Sequence, residues 1–265
     1  MLKTRIFPII FVLLLFTLRG YTQTYIVLKV KGEILNEQTG QLLKANDELN
    51  LNDKITFKSD KALAALYNKD SGRFLLKPMK KFEGELTEYV YATLVKSKGI
   101  TDKGLFSLQK EFESPYFVIG EFKFKINPKE YPITNNSYFF IRYIYQDDTI
   151  SKKISFTSDE IIFDKNFIYT IGDKQINQEL VDRVDLYYTY VKNNKQREQL
   201  ISKFILRFAD EEELKKELDS YIELLNASGK NKDEITEELI AYIVDVYGRT
   251  NYDYAKSWLK NTYGF

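Results

Sequence analysis

The chain has 265 residues, with 39 Lys and Arg against 38 Asp and Glu, and it contains neither histidine nor cysteine. That composition excludes Ser-His-Asp and Cys-His nucleophile pairs, zinc sites of the ordinary Cys/His kind and disulfide stapling, so the fold must be held by its core. The basic residues are scattered along the chain, whereas a nucleic-acid surface wants a basic stripe; no nucleic-acid partner is expected.

Lys3 and Arg5 precede an apolar run from Ile6 to Leu18, and Arg19-Gly20-Tyr21-Thr22-Gln23 follows. A basic start, a short apolar run and small residues before a cut site are the parts of a secretion signal. The run is shorter than the ~20 residues of a membrane-spanning helix. Residues 1–22 are therefore expected to be a cleaved signal peptide, leaving Gln23 as the mature N-terminus and no span in the mature protein. Loss of Lys3, Arg5 and Arg19 turns the net charge from +1 to slightly negative. With no cysteine to carry a lipid, the expected location is the periplasm or the exterior, not a lipoprotein anchor.

Residues 24–79 read as a small β domain. Tyr25–Val30 alternates weakly, Lys54–Lys58 alternates cleanly, and Ala62–Tyr67 is a continuous apolar run suited to a strand buried on both faces. Turns are expected at Glu37–Gly40 and Asp70–Gly72, and the strand over Arg73–Lys77 ends at Pro78. No internal repeat is evident.

The succession V-K-G-E-I, T-G-Q-L-L, A-N-D-E-L, N-D-K-I-T-F, A-L-A-A-L and S-G-R-F-L-L-K-P resembles the FecR-like β domain. Gly32, Asp47, Asp53 and Gly72 fall on that family's turn positions. Asn46 and Asn52 stand where the family has glycine, and asparagine is the next-best residue for positive φ. The resemblance implies a periplasmic β module. In the family, that module relays a signal from an outer-membrane transporter to a sigma factor across the membrane. No counterpart of the family's cytoplasmic segment and span is read here, so only an extracytoplasmic interaction module is expected.

Residues 80–114 read as a helical connector, with one helix over 85–97 ended by Gly99 and a second over Leu105–Phe112. Residues 115–208 read as an antiparallel β-sandwich-like domain. Its strands are expected at Tyr116–Ile126, Tyr138–Tyr145, Ile150–Phe156, Glu160–Phe163, Phe167–Ile171, Val184–Lys192 and Leu200–Phe208. Residues 210–265 read as three amphipathic helices forming a short bundle, started by Asp210, Asn231 and Asn251. The fold class is thus α+β.

Chemistry is sparsely signalled. No phosphate-cradling loop, dinucleotide fingerprint or nucleophile elbow is present. Most acids sit in turns or on helix faces beside lysines, where solvated charge explains them, although two carboxylates alone can hydrolyse glycosides. Asn50-Leu51-Asn52-Asp53 offers oxygens at calcium-like spacing but lacks the glycine and glutamate of a calcium loop. Asp148-Thr149-Ile150 resembles a short O-glycosylation acceptor of secreted bacterial proteins. In Leu186–Val191, alternation puts Tyr188 and Tyr190 on one face; if exposed, they would bind a sugar or a peptide edge, and if covered, they are core packing, the ordinary role of such side chains. No catalytic residue, cofactor or metal is expected. The reading is a non-catalytic envelope protein with a protein partner, a glycan being the lesser option; a carboxylate-dependent envelope hydrolase or a structural accessory subunit are the alternatives.

Overall fold

The computed structural model describes residues 23–78, 83–85, 108–112 and 115–265. The expected signal peptide lies outside the described residues, as does the helix expected over 85–97 from residue 86 on. The chain divides into two compact units at residue 95.

In the first unit, β1 (Thr24–Lys31), β2 (Ile34–Asn36), β3 (Gln41–Leu42), β4 (Glu48–Asn50), β5 (Lys54–Phe57), β6 (Leu63–Asn68), β7 (Gly72–Leu76) and β8 (Glu83–Glu85) form two antiparallel sheets. Their orders are β4-β1-β6-β7 and β3-β2-β5-β8. Alternation sends Tyr25, Val27, Leu49, Phe74 and Leu76 of one sheet and Ile34 and Ile55 of the other into a common core. β6 is buried on both faces from Ala64 to Tyr67, which is why it is continuously apolar. β8 corrects an expectation: residues 83–85, assigned to the helical connector, pair with β5 through Ile55↔Gly84. A strand there satisfies backbone groups that the edge of β5 would otherwise leave open.

Side chains close the turns of this unit in two matched pairs. The Asn36 side-chain oxygen accepts the Gln38 and Thr39 N–H groups at 2.9 and 3.3 Å, and Asn68 does the same for Asp70 and Ser71 at 3.0 and 2.8 Å. Both asparagines are buried, a position tolerable because the amide is paired with backbone. Asp47 accepts the Lys44 N–H at 2.8 Å, and Asp53 accepts the Asn50 N–H at 2.9 Å. A repeat is therefore present at the level of turns: N-x-x-[ST]-G in the hairpins β2–β3 and β6–β7, and N-D in consecutive turns. It is too short to stand out in sequence.

The described elements of the second unit run from α1 (Leu108–Glu111) through β9 (Tyr116–Val118), β10 (Phe122–Lys125), β11 (Tyr138–Tyr145), β12 (Asp148–Lys153), β13 (Ser155–Phe156) and β14 (Glu160–Phe163). After α2 (Lys165–Ile168) come β15 (Thr170–Ile171), β16 (Lys174–Gln175), β17 (Val184–Lys192), β18 (Lys195–Phe204) and β19 (Leu206–Phe208). The helices α3 (Glu211–Ala227), α4 (Lys232–Tyr247) and α5 (Tyr252–Tyr263) close the chain. The main sheets are β12-β11-β17-β18 and β10-β14-β13, both antiparallel and sandwich-like; β9 and β19 form a parallel pair. The class is α+β with mainly β content. Residues 115–208 and 210–265, expected as successive regions, fall in this one unit.

The two sheets meet at Phe112, whose buried ring lies 5.0 Å from Phe163, 5.2 Å from Phe204 and 5.4 Å from Phe124. Emptying such a site costs roughly 3–5 kcal/mol. The helices are capped as their sequences require. Asp210 accepts the Glu213 N–H at 3.1 Å, Asn231 and Glu234 form a reciprocal capping box, and Asn251 accepts the Tyr254 N–H. Tyr247 of α4 stacks on Phe117 of β9 at 4.5 Å, which ties helix to strand.

Four predicted strands differ in detail, and one of them, Ile150–Phe156, is divided between β12 and β13 of different sheets. Tyr116–Ile126 is two strands, broken at Ile119-Gly120-Glu121 where Gly120 takes φ +71°. The segment 167–171 starts instead as helix α2, because Asp164 accepts the Asn166 N–H at 2.9 Å and caps it. β18 begins at Lys195 rather than Leu200; its first half is polar on both faces, so no alternation marks it.

Candidate functional site

Tyr188 and Tyr190 lie on the inward face of β17, not on an exposed one. Tyr188 is buried, with its ring 4.9 Å from Phe139 and 5.1 Å from Tyr131. Its hydroxyl donates to the Pro132 carbonyl at 2.7 Å, and burial pushes its pKa up. Tyr190 is half-buried against the same core, stacked on Tyr188 at 5.9 Å. The expected tyrosine platform is thus corrected to core packing. The sequence held the signal: Val184 and Leu186 share the parity of Tyr188, whereas the opposite parity holds Asp185, Tyr187 and Thr189.

The four turn positions serve structure. Gly32 and Gly72 take φ of +73° and +85°, and Asp47 and Asp53 hold backbone N–H groups. Asn46 takes the expected positive φ, at 71°, but Asn52 does not. Among the described residues, no group of three His, Cys, Asp or Glu is placed to hold a metal ion. Glu111, a buried carboxylate, is engaged by the Tyr116 hydroxyl at 2.8 Å and the Asn251 amide at 3.1 Å. Glu217 accepts the hydroxyls of Tyr242 and Tyr247. These acids fasten elements together.

The side chains that face outward from the sheet β12-β11-β17-β18 make a different kind of surface. Phe140 of β11 and Tyr187 of β17 are cross-strand partners, with rings 5.1 Å apart and 8° from parallel. The Arg142 guanidinium lies over both, 5.1 Å from Phe140 and 4.8 Å from Tyr187. It also donates to Ser151 on one edge strand at 3.3 Å and to Glu198 on the other at 3.2 Å. The Lys153 ammonium sits 4.1 Å from the Tyr138 ring. On the same face Leu200 is paired with Tyr187, with Ile144 toward one end of the sheet and Val191 toward the other, at 40%, 64% and 49% exposure. These are three of the six large apolar side chains exposed among the described residues, and strand parity sends all three to this one face. Their common face was not legible before the pairing of β17 with β18 was known.

Comparison with known proteins adds little. No protein-family model matches the chain, and no curated protein matches it. Among solved structures, an extracellular fragment of novel immune-type receptor 11 from Ictalurus punctatus, including its stalk region, is similar at 14% identity. It covers 37% of this chain and 86% of that one, with a TM-score of 0.21. Among the described residues, no helix is long and apolar enough to cross a membrane.

Proposed function

We propose that this chain is a non-catalytic extracytoplasmic binding protein of the cell envelope, and that it recognises a protein partner through the outward face of the sheet β12-β11-β17-β18. The observation that carries this reading is that Ile144, Val191 and Leu200 share one outward sheet face with the Arg142-capped rings of Phe140 and Tyr187. Apolar side chains ranged beside rigid aromatic groups and an arginine have the make-up of an interface core with its polar rim. Residues 24–79 are proposed as a FecR-like module on the strength of their turn residues, and residues 1–22 as the signal that exports the protein.

The test uses protein beginning at Gln23, immobilised and exposed to envelope extract, beside a variant carrying Ile144→Glu and Leu200→Glu. One dominant partner that the variant fails to retain supports the reading. Equal capture by both proteins, or none by either, sinks it.

A further inference from the structure

The hairpin of β17 and β18 runs past the core that anchors it. Thr189 is buried, but from Val191 through the turn at Asn193-Asn194 to Leu200 every residue is exposed. Both turn residues have positive φ, 54° and 57°, as a two-residue type I′ hairpin requires. Beyond Tyr190 the chain is therefore a two-stranded arm.

Charge on the arm is segregated by face. Lys192 is paired directly with Lys195, and Tyr190 with Arg197. Strand parity puts Lys192, Lys195 and Arg197 on the face that continues from Tyr190. The one acid of 191–200, Glu198, points to the opposite face, where Arg142 holds it. Like charges directly opposite across an antiparallel pair are destabilising. An arm that keeps Lys192 against Lys195, with a third cation beside them, is poorly arranged for its own stability and well arranged for an anion.

The same strand offers an open edge. β18 pairs only with β17 among the described residues. Its C-terminal end is occupied, since the Ser202 hydroxyl donates to the Phe112 carbonyl and the Tyr116 N–H donates to the Ile205 carbonyl. Lys195–Leu200 remains exposed along its length. That length matches a typical strand of about 5–6 residues. A strand laid antiparallel on this edge would place every second side chain on the face of Lys195 and Arg197.

We infer that the Lys195–Leu200 edge accepts an extended acidic segment of the protein partner as a fifth strand, with carboxylates at alternate positions meeting Lys195 and Arg197. The main-chain ladder would supply affinity and the alternating acids the specificity. This inference rests on the binding reading above and names the chemistry of the segment recognised.

The test is fluorescence anisotropy with the protein from Gln23 and labelled peptides of about ten residues, long enough to cover such a strand. One probe alternates Glu with Thr, a second alternates Lys with Thr, and a third is the Glu–Thr peptide with its alternate amides N-methylated. Polygalacturonate serves as a polyanion that cannot form a ladder. The Glu–Thr peptide is expected to bind, the Lys–Thr peptide not. N-methylation and the triple variant Lys192→Gln, Lys195→Gln, Arg197→Gln are each expected to weaken binding at least tenfold, with the variant's circular dichroism unchanged. Failure of the Glu–Thr peptide to bind would overturn the inference. So would equal binding of the N-methylated peptide or of polygalacturonate, which would make the arm a plain anion site. If the triple variant still captures the envelope partner, the acidic strand fails while the sheet-face reading stands.

Discussion

Arg142 and Glu198 are ion-paired at 3.2 Å although a whole strand, β17, lies between theirs. The arginine spans that distance by lying flat on the rings of Phe140 and Tyr187. Its side chain is 34% exposed and that of Glu198 47%, so the ion pair itself is worth under ~1 kcal/mol. The two ring contacts contribute a comparable amount at about 0.5–1 kcal/mol each. Arg142→Ala is therefore expected to cost about 1–2 kcal/mol in urea unfolding. A double-mutant cycle with Glu198→Ala should assign less than half of that to the pair. Arg142→Lys should recover little, because an ammonium cannot stack on two rings and bridge to both edges; full recovery would sink this account.

Gly248 ends α4 in a conformation that no other residue adopts comfortably, at φ +113°. A Cβ there would stand 2.5 Å from Pro115 Cγ and 2.6 Å from the Pro115 carbonyl oxygen. That carbonyl also accepts the Arg249 N–H at 2.8 Å, which docks the helix end on the strand side of the unit. Gly248→Ala must therefore pay for strain and break a junction, and a loss above ~2 kcal/mol is expected. Gly72→Ala is the control: φ is +85° but nothing lies within 4 Å of the added carbon. Only the left-handed conformation is penalised there, at about 1–2 kcal/mol. Equal losses at the two sites would refute the role of Pro115.

The two N-D turns of the first unit show how far sequence reading reaches. Asn46 and Asn52 stand in the same local sequence, yet only Asn46 takes positive φ. Both turns are closed by a backbone bond, Asp47 N–H to the Lys44 carbonyl and Asp53 N–H to the Asn50 carbonyl, and by the aspartate described above. Asn46→Gly should be neutral or stabilising by a few tenths of a kcal/mol, whereas Asn52→Gly should cost about 0.5–1 kcal/mol in unfolded-state entropy. Thermal melts of the two variants, moving in the same direction, would contradict the difference in turn type.

What the sequence showed was periodicity. β11, β14 and β17 fall where alternation put them, and the three C-terminal helices begin at their capping residues. Alternation gives two faces, and only the apolar parity of Val184 and Leu186 pointed to the face of Tyr188 as the inner one. Pairing partners were invisible. Ile144, Val191 and Leu200 come from three strands, and Lys192 and Lys195 oppose each other only through the Asn193-Asn194 turn. Basic residues that are scattered in sequence become one face of an arm only after the hairpin forms.

Tyr143 predicts an alkaline weakness. It is buried, its hydroxyl donates to the Ile168 carbonyl at 2.8 Å, and burial raises its pKa from 10.0 to about 12. The folded state thus retains the phenol proton in a range where the unfolded chain has lost it. The stabilisation is fully present below pH 10, falls as pH rises from there, and is gone near 12. Urea midpoints should decline across that window. Tyr143→Phe should lower stability at pH 7 by about 1 kcal/mol through the lost hydrogen bond and make the decline shallower. A decline as steep as in the parent protein would mean that Tyr143 does not contribute to it.

Thr189 is the residue on which the order of the arm depends. Its hydroxyl is buried, accepts from the Gln196 amide at 3.0 Å and donates to the Arg197 carbonyl at 3.1 Å. It therefore clamps the register of β18 at the point where the core ends and the arm begins. Thr189→Val keeps the shape and the strand preference but removes both bonds, leaving the Gln196 amide to find water. A global cost of about 1 kcal/mol is expected. The local effect should be larger: hydrogen exchange over 191–197 should quicken about tenfold while 138–145 in β11 is unchanged, because the arm opens without the core. An arm that frays presents no preformed edge, and ordering it on binding subtracts from affinity. Thr189→Val should therefore weaken binding of the alternating Glu–Thr peptide although it alters neither charge nor edge backbone. Unchanged exchange together with weakened binding would mean that Thr189 touches the peptide rather than ordering the arm.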